Sequence, residues 1–177
     1  MEHKDNFQHF DKLGTGLLLS MFNLHTFYDN KADRYSWFDA SGTTVSNGIS
    51  KDVIFEVKCN NSSITNYECS IITKADFDSL LRLSPADVEP MYVTFTNNIT
   101  YVFNLRKVLA DPSVWYVREV TNKAAEMRNN EVYIQEDWVY FRRKECKTKG
   151  YMREIAKGSM NYGININDEL RKAKWKY

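Results

Sequence analysis

The strand-like stretch from Asp52 to Cys59 is apolar except where Glu56 and Lys58 interrupt it. Two residues apart on a strand, these side chains project from the same face. On a solvent-facing strand, such a pair contributes little and does no chemistry. Its meaning changes if a second carboxylate lies beside it. Asp39 is the candidate, because it follows three aromatic residues, Tyr35, Trp37 and Phe38, in "DRYSWFDAS". That stretch reads as a strand over 33–41. Were it paired with the strand at 52–59, Asp39 and Glu56 would be cross-strand neighbours about 5 Å apart at Cβ. Two carboxylates that close in a desolvated place repel each other and need a cation. A small number of hard oxygen donors suits Mg²⁺ or Mn²⁺. Lys58, next to such a metal, would orient or deprotonate a water, or stabilise charge on a phosphate oxygen. Asp52 shares the face of Glu56 but is about 13 Å away along the strand, too far to share one metal with it. Asp33 falls at the wrong end of its strand.

These residues need elements to hold them. Phe7, Phe10, Leu13, Leu17, Met21 and Leu24 recur at steps of three or four and predict an amphipathic helix over 5–27. Gly14 and Gly16 within it mark a close approach to a neighbouring element. Asn47-Gly48 is a hairpin signal inside the turn-rich "GTTVSNGIS". Thr73 and Asp76 have capping-box spacing at the start of a helix that Ser84-Pro85 ends. "MYVTFT" and "ITYVFNL" form a second hairpin, "EVYIQEDWVYFRR" contains a further strand, and "INDELRKAKWKY" reads as a short terminal helix. The order predicts an α+β fold: a central mixed sheet of four to five strands flanked by helices.

Composition is consistent with this. The 177 residues, 43% hydrophobic and 14% aromatic, suit one domain spanning 1–177 with its own core. No apolar run is long enough to cross a membrane, and no signal peptide is recognisable, so the expected location is the cytoplasm. Cys59, Cys69 and Cys146 lack metal-site spacing and read as reduced thiols. His3, His9 and His25 have no zinc-site partner, and neither a G-x-S-x-G elbow nor a phosphate loop is present. Net charge is only +1, yet it is unevenly spread. Residues 142–177 carry eleven Lys/Arg against four Asp/Glu, and the other 141 residues thirteen against nineteen. The basic segment suits either a solvated helix or a polyanion.

Asp39, then sixteen intervening residues, then Glu56-Val57-Lys58, resembles the PD-(D/E)XK nuclease superfamily, in particular its small phage and bacterial members. The apolar "VIF" before "EVK", and the flow from helix to hairpin, helix and further strands, carry the resemblance over roughly residues 5–108. Phe38 occupies the place of the motif's proline. The resemblance implies a restriction-endonuclease-like core and Mg²⁺-dependent hydrolysis of nucleic acid phosphodiesters, with DNA favoured over RNA. Asp39 and Glu56 would hold the metal, and Lys58 would position the attacking water. Lys74 matches a helix position that approaches the substrate in the family, and Asp11 matches an acid that some members add from the first helix. The resemblance also allows a homodimer, in a bacterial or phage-infected cell. Trp115, Tyr116, Trp138 and Tyr140 would stack bases if exposed, although such aromatics more often fill a core. The alternatives are an inactive nucleic-acid-binding protein on the same fold and a phage factor that acts on a host protein. In the latter, Glu56 and Lys58 are a surface pair.

Overall fold

The computed structural model describes residues 3–29, 36–59, 69–123 and 133–169. Helix α1 (His3–Met21) is followed by strands β1 (Leu24–Asp29), β2 (Ala40–Ser46), β3 (Ile49–Cys59) and β4 (Cys69–Thr73). Helix α2 (Lys74–Leu83), strands β5 (Glu89–Phe95) and β6 (Thr100–Asn104) and helix α3 (Leu105–Leu109) come next. The hairpin of β7 (Trp115–Lys123) and β8 (Tyr133–Arg142) leads to α4 (Arg143–Thr148) and β9 (Met152–Ile155). The fold is therefore mixed α+β. A six-stranded mixed sheet has the order β1-β2-β3-β5-β6-β9, and a three-stranded sheet has the order β4-β8-β7. Among the described residues, β3 and β5 are the one parallel pair of adjacent strands.

The two faces of β3 feed two cores. Val53, Phe55 and Val57 pack with Leu17 and Leu18 of α1. Ile54 faces the other way, into a cluster with Tyr92, Phe103, Phe77, Leu80, Ile72 and Phe141. The rings of Tyr92, Phe103 and Phe141 lie 5.1 to 5.9 Å apart, within the range of favourable aromatic packing. The second cluster joins α2 and the three-stranded sheet to the large sheet, leaving β3 sandwiched. A Cβ on Gly14 would stand 2.9 Å from Cγ1 of Val57, so α1 needs this glycine to lie against β3. Gly16 has nothing within 4 Å and no such role.

Two predicted boundaries move. The helix ends at Met21, and Leu24–Asp29 form β1. The strand predicted over 33–41 is absent from 36–39, and residues 33–35 lie outside the described part. Trp37 and Phe38 instead pack edge to face, ring centroids 4.7 Å apart, and cap the second core from a bend. The strand is the stretch that looked turn-rich. Thr43, Thr44 and Val45 favour extended backbone. Gly42 is required because a side chain there would collide with the Thr26 carbonyl, next to the register irregularity of β1. The turn itself is where it was expected: Asn47 and Gly48 both have positive φ, 52° and 77°, as a two-residue primed turn requires. The central sheet has six strands where four to five were expected, because β1 and β9 extend its edges.

The cap of α2 is also as predicted. The Thr73 hydroxyl accepts a hydrogen bond from the Asp76 N–H at 3.1 Å. Thr73→Ala is expected to lower unfolding free energy by about 1 kcal/mol, read as a lower urea midpoint at unchanged slope. Among the described residues no helix is long and apolar enough to cross a membrane, and the three cysteines are free thiols. The predicted terminal helix begins at 166–169; its remainder, 170–177, lies outside the described residues.

Candidate carboxylate–lysine site

The β2–β3 pairing sets Ala40 opposite Phe55. Asp39 continues that ladder by one residue, its N–H donating to the Phe55 carbonyl at 2.9 Å. Its side chain turns back onto β3, where Oδ2 accepts the Val57 N–H at 2.7 Å. Asp39 thus stands across from Glu56, although it lies just before β2 and not within a strand over 33–41 as expected.

Glu56 is 6% exposed. Its Oε1 is ion-paired with the Lys58 ammonium, whose side chain is 42% exposed. Burial pushes the Glu56 carboxyl up to about 7, working against the Lys58 charge; Asp39 and Asp76 raise it further. Burial pulls the Lys58 ammonium down, but the charge of Glu56 and the hydrogen bond to it prevail, so its pKa is raised. Tyr92 forms part of the buried wall. It neighbours Glu56 in the parallel register of β3 and β5, and its hydroxyl donates to the Ile71 carbonyl at 2.5 Å. Burial pushes that phenol up to about 12.

A fourth member joins from α2. Asp76 Oδ2 is 4.0 Å from the Lys58 ammonium. Its type and place at a helix N-terminus are explained by the helix dipole and the cap alone, so nothing local in the sequence marks it as part of this cluster. Among the described residues, the carboxylates of Glu56, Asp76 and Asp39 therefore lie around the Lys58 ammonium at the C-terminal end of β3, where it runs parallel to β5. Carboxyl ends of parallel strands are a frequent place for ligand sites in open sheets.

The other predicted residues fall outside the cluster. Lys74 is the first residue of α2, and its ammonium pairs with Asp78 one turn along the same helix. Asp11 belongs to α1, and its side chain lies outside the described part. Asp52 is exposed and accepts from the Thr43 hydroxyl at 2.8 Å, as its distance along the strand required. The basic segment is not a uniform patch in its described part. Arg143 is buried with its guanidinium 4.7 Å from the Tyr101 ring. Lys147 pairs with Glu154 and Lys149 with Asp111.

Among the described residues, no three His, Cys, Asp or Glu side chains converge as a metal cage. What the site offers a cation is the pair Asp39 and Glu56. That suits a metal which keeps several waters and takes one or two carboxylates. Protein-family models, curated proteins and solved structures give no match to this chain.

Proposed function

We propose that the chain is a Mg²⁺- or Mn²⁺-dependent nuclease that hydrolyses nucleic acid phosphodiester bonds. DNA is the favoured substrate, and the protein acts in the cytoplasm as a phage or bacterial protein. The observation that carries the reading is the juxtaposition of Asp39, Glu56 and Lys58 across the β2–β3 ladder. The order of elements supports it: an antiparallel run β1-β2-β3, then a helix, then a strand parallel to β3 is compatible with the restriction-endonuclease-like core that the motif suggests.

Asp39 and Glu56 would hold the metal. When bound, such an ion lowers the pKa of its water and neutralises charge on the phosphate. The chain's own residues do the rest. The Val57 N–H fixes the Asp39 carboxylate in place. Lys58, held between Glu56 and Asp76, has its half-exposed ammonium placed to orient the attacking water and to receive the developing phosphate charge. Tyr92 and the aromatic core behind it keep the Glu56 side of the site dry.

The test is cleavage of end-labelled single-stranded, duplex and branched DNA, and of RNA, with Mg²⁺ or Mn²⁺ and with EDTA. Metal-dependent loss of intact strand on at least one substrate is expected. No cutting of any of them, with melting unchanged by metal, would reduce Glu56 and Lys58 to a charged pair on a strand and favour a binding protein.

A further inference from the structure

The three-stranded sheet carries a second group of side chains. On its inner face Ile72, Val139 and Phe141 are buried in the core. On its outer face the register sets Ile71, Tyr140 and Tyr116 in one row across β4, β8 and β7. The Tyr116 and Tyr140 rings are stacked, 5.0 Å between centroids and 10° between planes. The Arg142 guanidinium lies 5.0 Å from the Tyr116 ring centre. Tyr116 is 37% exposed, Arg142 and Arg118 are exposed, and Tyr140 is half-buried. Of the four aromatics singled out in the sequence, Trp115 packs against the core, its ring 5.6 Å from Phe77, while the tyrosines face outward.

Two stacked rings with a guanidinium over one of them offer π-surface and positive charge together. Core packing explains neither the exposure nor the cation. Among the described residues that strand alternation puts on this face, Arg118 and Arg142 stand with one acid, Glu136, so the face favours an anion. The row is also joined to the carboxylate site. Ile71, opposite Tyr140, accepts the hydroxyl of Tyr92, which neighbours Glu56. Two residues further on, β4 passes into α2, which carries Asp76.

We propose that Tyr116, Tyr140 and Arg142 form a platform for single-stranded nucleic acid. The rings stack on unpaired bases, and Arg142 with Arg118 holds the phosphates. Stacking of this kind tolerates any base, because every base has a π-face, and it requires bases that are not already paired. The inference rests on the nuclease reading above and narrows its substrate to single strands or to single-stranded stretches of a larger substrate.

Fluorescence anisotropy of fluorescein-labelled oligo(dT), in EDTA so that no strand is cut, tests it. The wild-type protein is expected to bind the strand, more weakly as salt rises, and to prefer it to the same strand annealed to oligo(dA). Tyr116→Ala is expected to weaken binding between about fivefold and about a hundredfold. Tyr116→Phe keeps the ring and should bind as wild type. Arg142→Gln changes an exposed side chain without touching the packed face, and is expected to weaken binding severalfold even if the tyrosine variant folds poorly. The platform is overturned if the wild type does not bind oligo(dT), if duplex binds as tightly as the single strand, or if a folded Tyr116→Ala and Arg142→Gln both bind as wild type. None of these results bears on the carboxylate site, which is read by metal-dependent cutting.

Discussion

Lys58→Ala and Asp39→Ala are each expected to reduce metal-dependent strand cleavage by about a hundredfold to ten-thousandfold, with the fold retained. The two losses have different origins. Lys58→Ala removes the ammonium that faces both Glu56 and Asp76. It leaves a buried carboxylate beside another acid without its cation, so it also costs stability, by about 3 kcal/mol or more. Asp39→Ala removes one of the two proposed metal carboxylates and the acceptor of the Val57 N–H. Single-turnover rates on the preferred substrate, with circular dichroism as a check of folding, separate lost chemistry from lost structure. Rates within severalfold of wild type in both variants would remove the site from the reaction.

The second large effect concerns Glu56 in the metal-free protein. Its carboxyl is raised from 4.5 to about 7, chiefly by burial. A carboxyl whose folded pKa lies above its unfolded value favours the folded state when protonated. That stabilisation is fully present below about pH 4.5 and is lost as pH rises through about 7. The shift corresponds to a fall of about 3 kcal/mol across this window. Glu56→Gln has no proton to lose and should abolish that part of the slope, leaving a variant relatively more stable than wild type at pH 8 in EDTA. Urea denaturation at pH 5 and pH 8, for both proteins, measures it. Asp111 does not confuse the result. Its hydrogen bonds to Lys149 and Ser113 hold its carboxyl down to about 2, so its contribution is lost only in stronger acid.

The Asp39–Glu56 pairing was legible because a two-residue turn fixes register. Asn47-Gly48 sets Ser46 opposite Ile49, and each residue before the turn then faces its mirror position after it. Asp39, eight places before Asn47, meets Glu56, eight places after Gly48, wherever the strand happens to begin. The pairing therefore survives a misplaced boundary. The boundary failed because Trp37 and Phe38 have strand-forming character but are used as a cap on the core, while Gly42 looks like a turn residue but serves the close approach of β1.

Asp76 was not legible. Its place beside Lys58 depends on where α2 lands, and α2 is anchored by β4. That strand pairs with β8, whose residues lie more than sixty positions further along the chain. The spacing of Thr73 and Asp76 reveals the cap and nothing about the lysine across from it. The exposed tyrosine stack was equally out of reach. Alternation in "EVYIQEDWVYFRR" predicts a strand, but which of its faces meets the core is decided by Phe77, Tyr92 and Phe103 from elsewhere in the chain.

Metal binding at Asp39 and Glu56 is read by the melting temperature as a function of Mg²⁺, with wild type beside Asp39→Asn, which keeps an acceptor for the Val57 N–H. A metal that binds only the folded protein stabilises it by mass action, by about 2.7 kcal/mol at a hundredfold above its Kd. The wild-type melting temperature is expected to climb with Mg²⁺, while the variant barely responds. A wild-type curve that is flat in Mg²⁺, or an equal rise in both proteins, would contradict it.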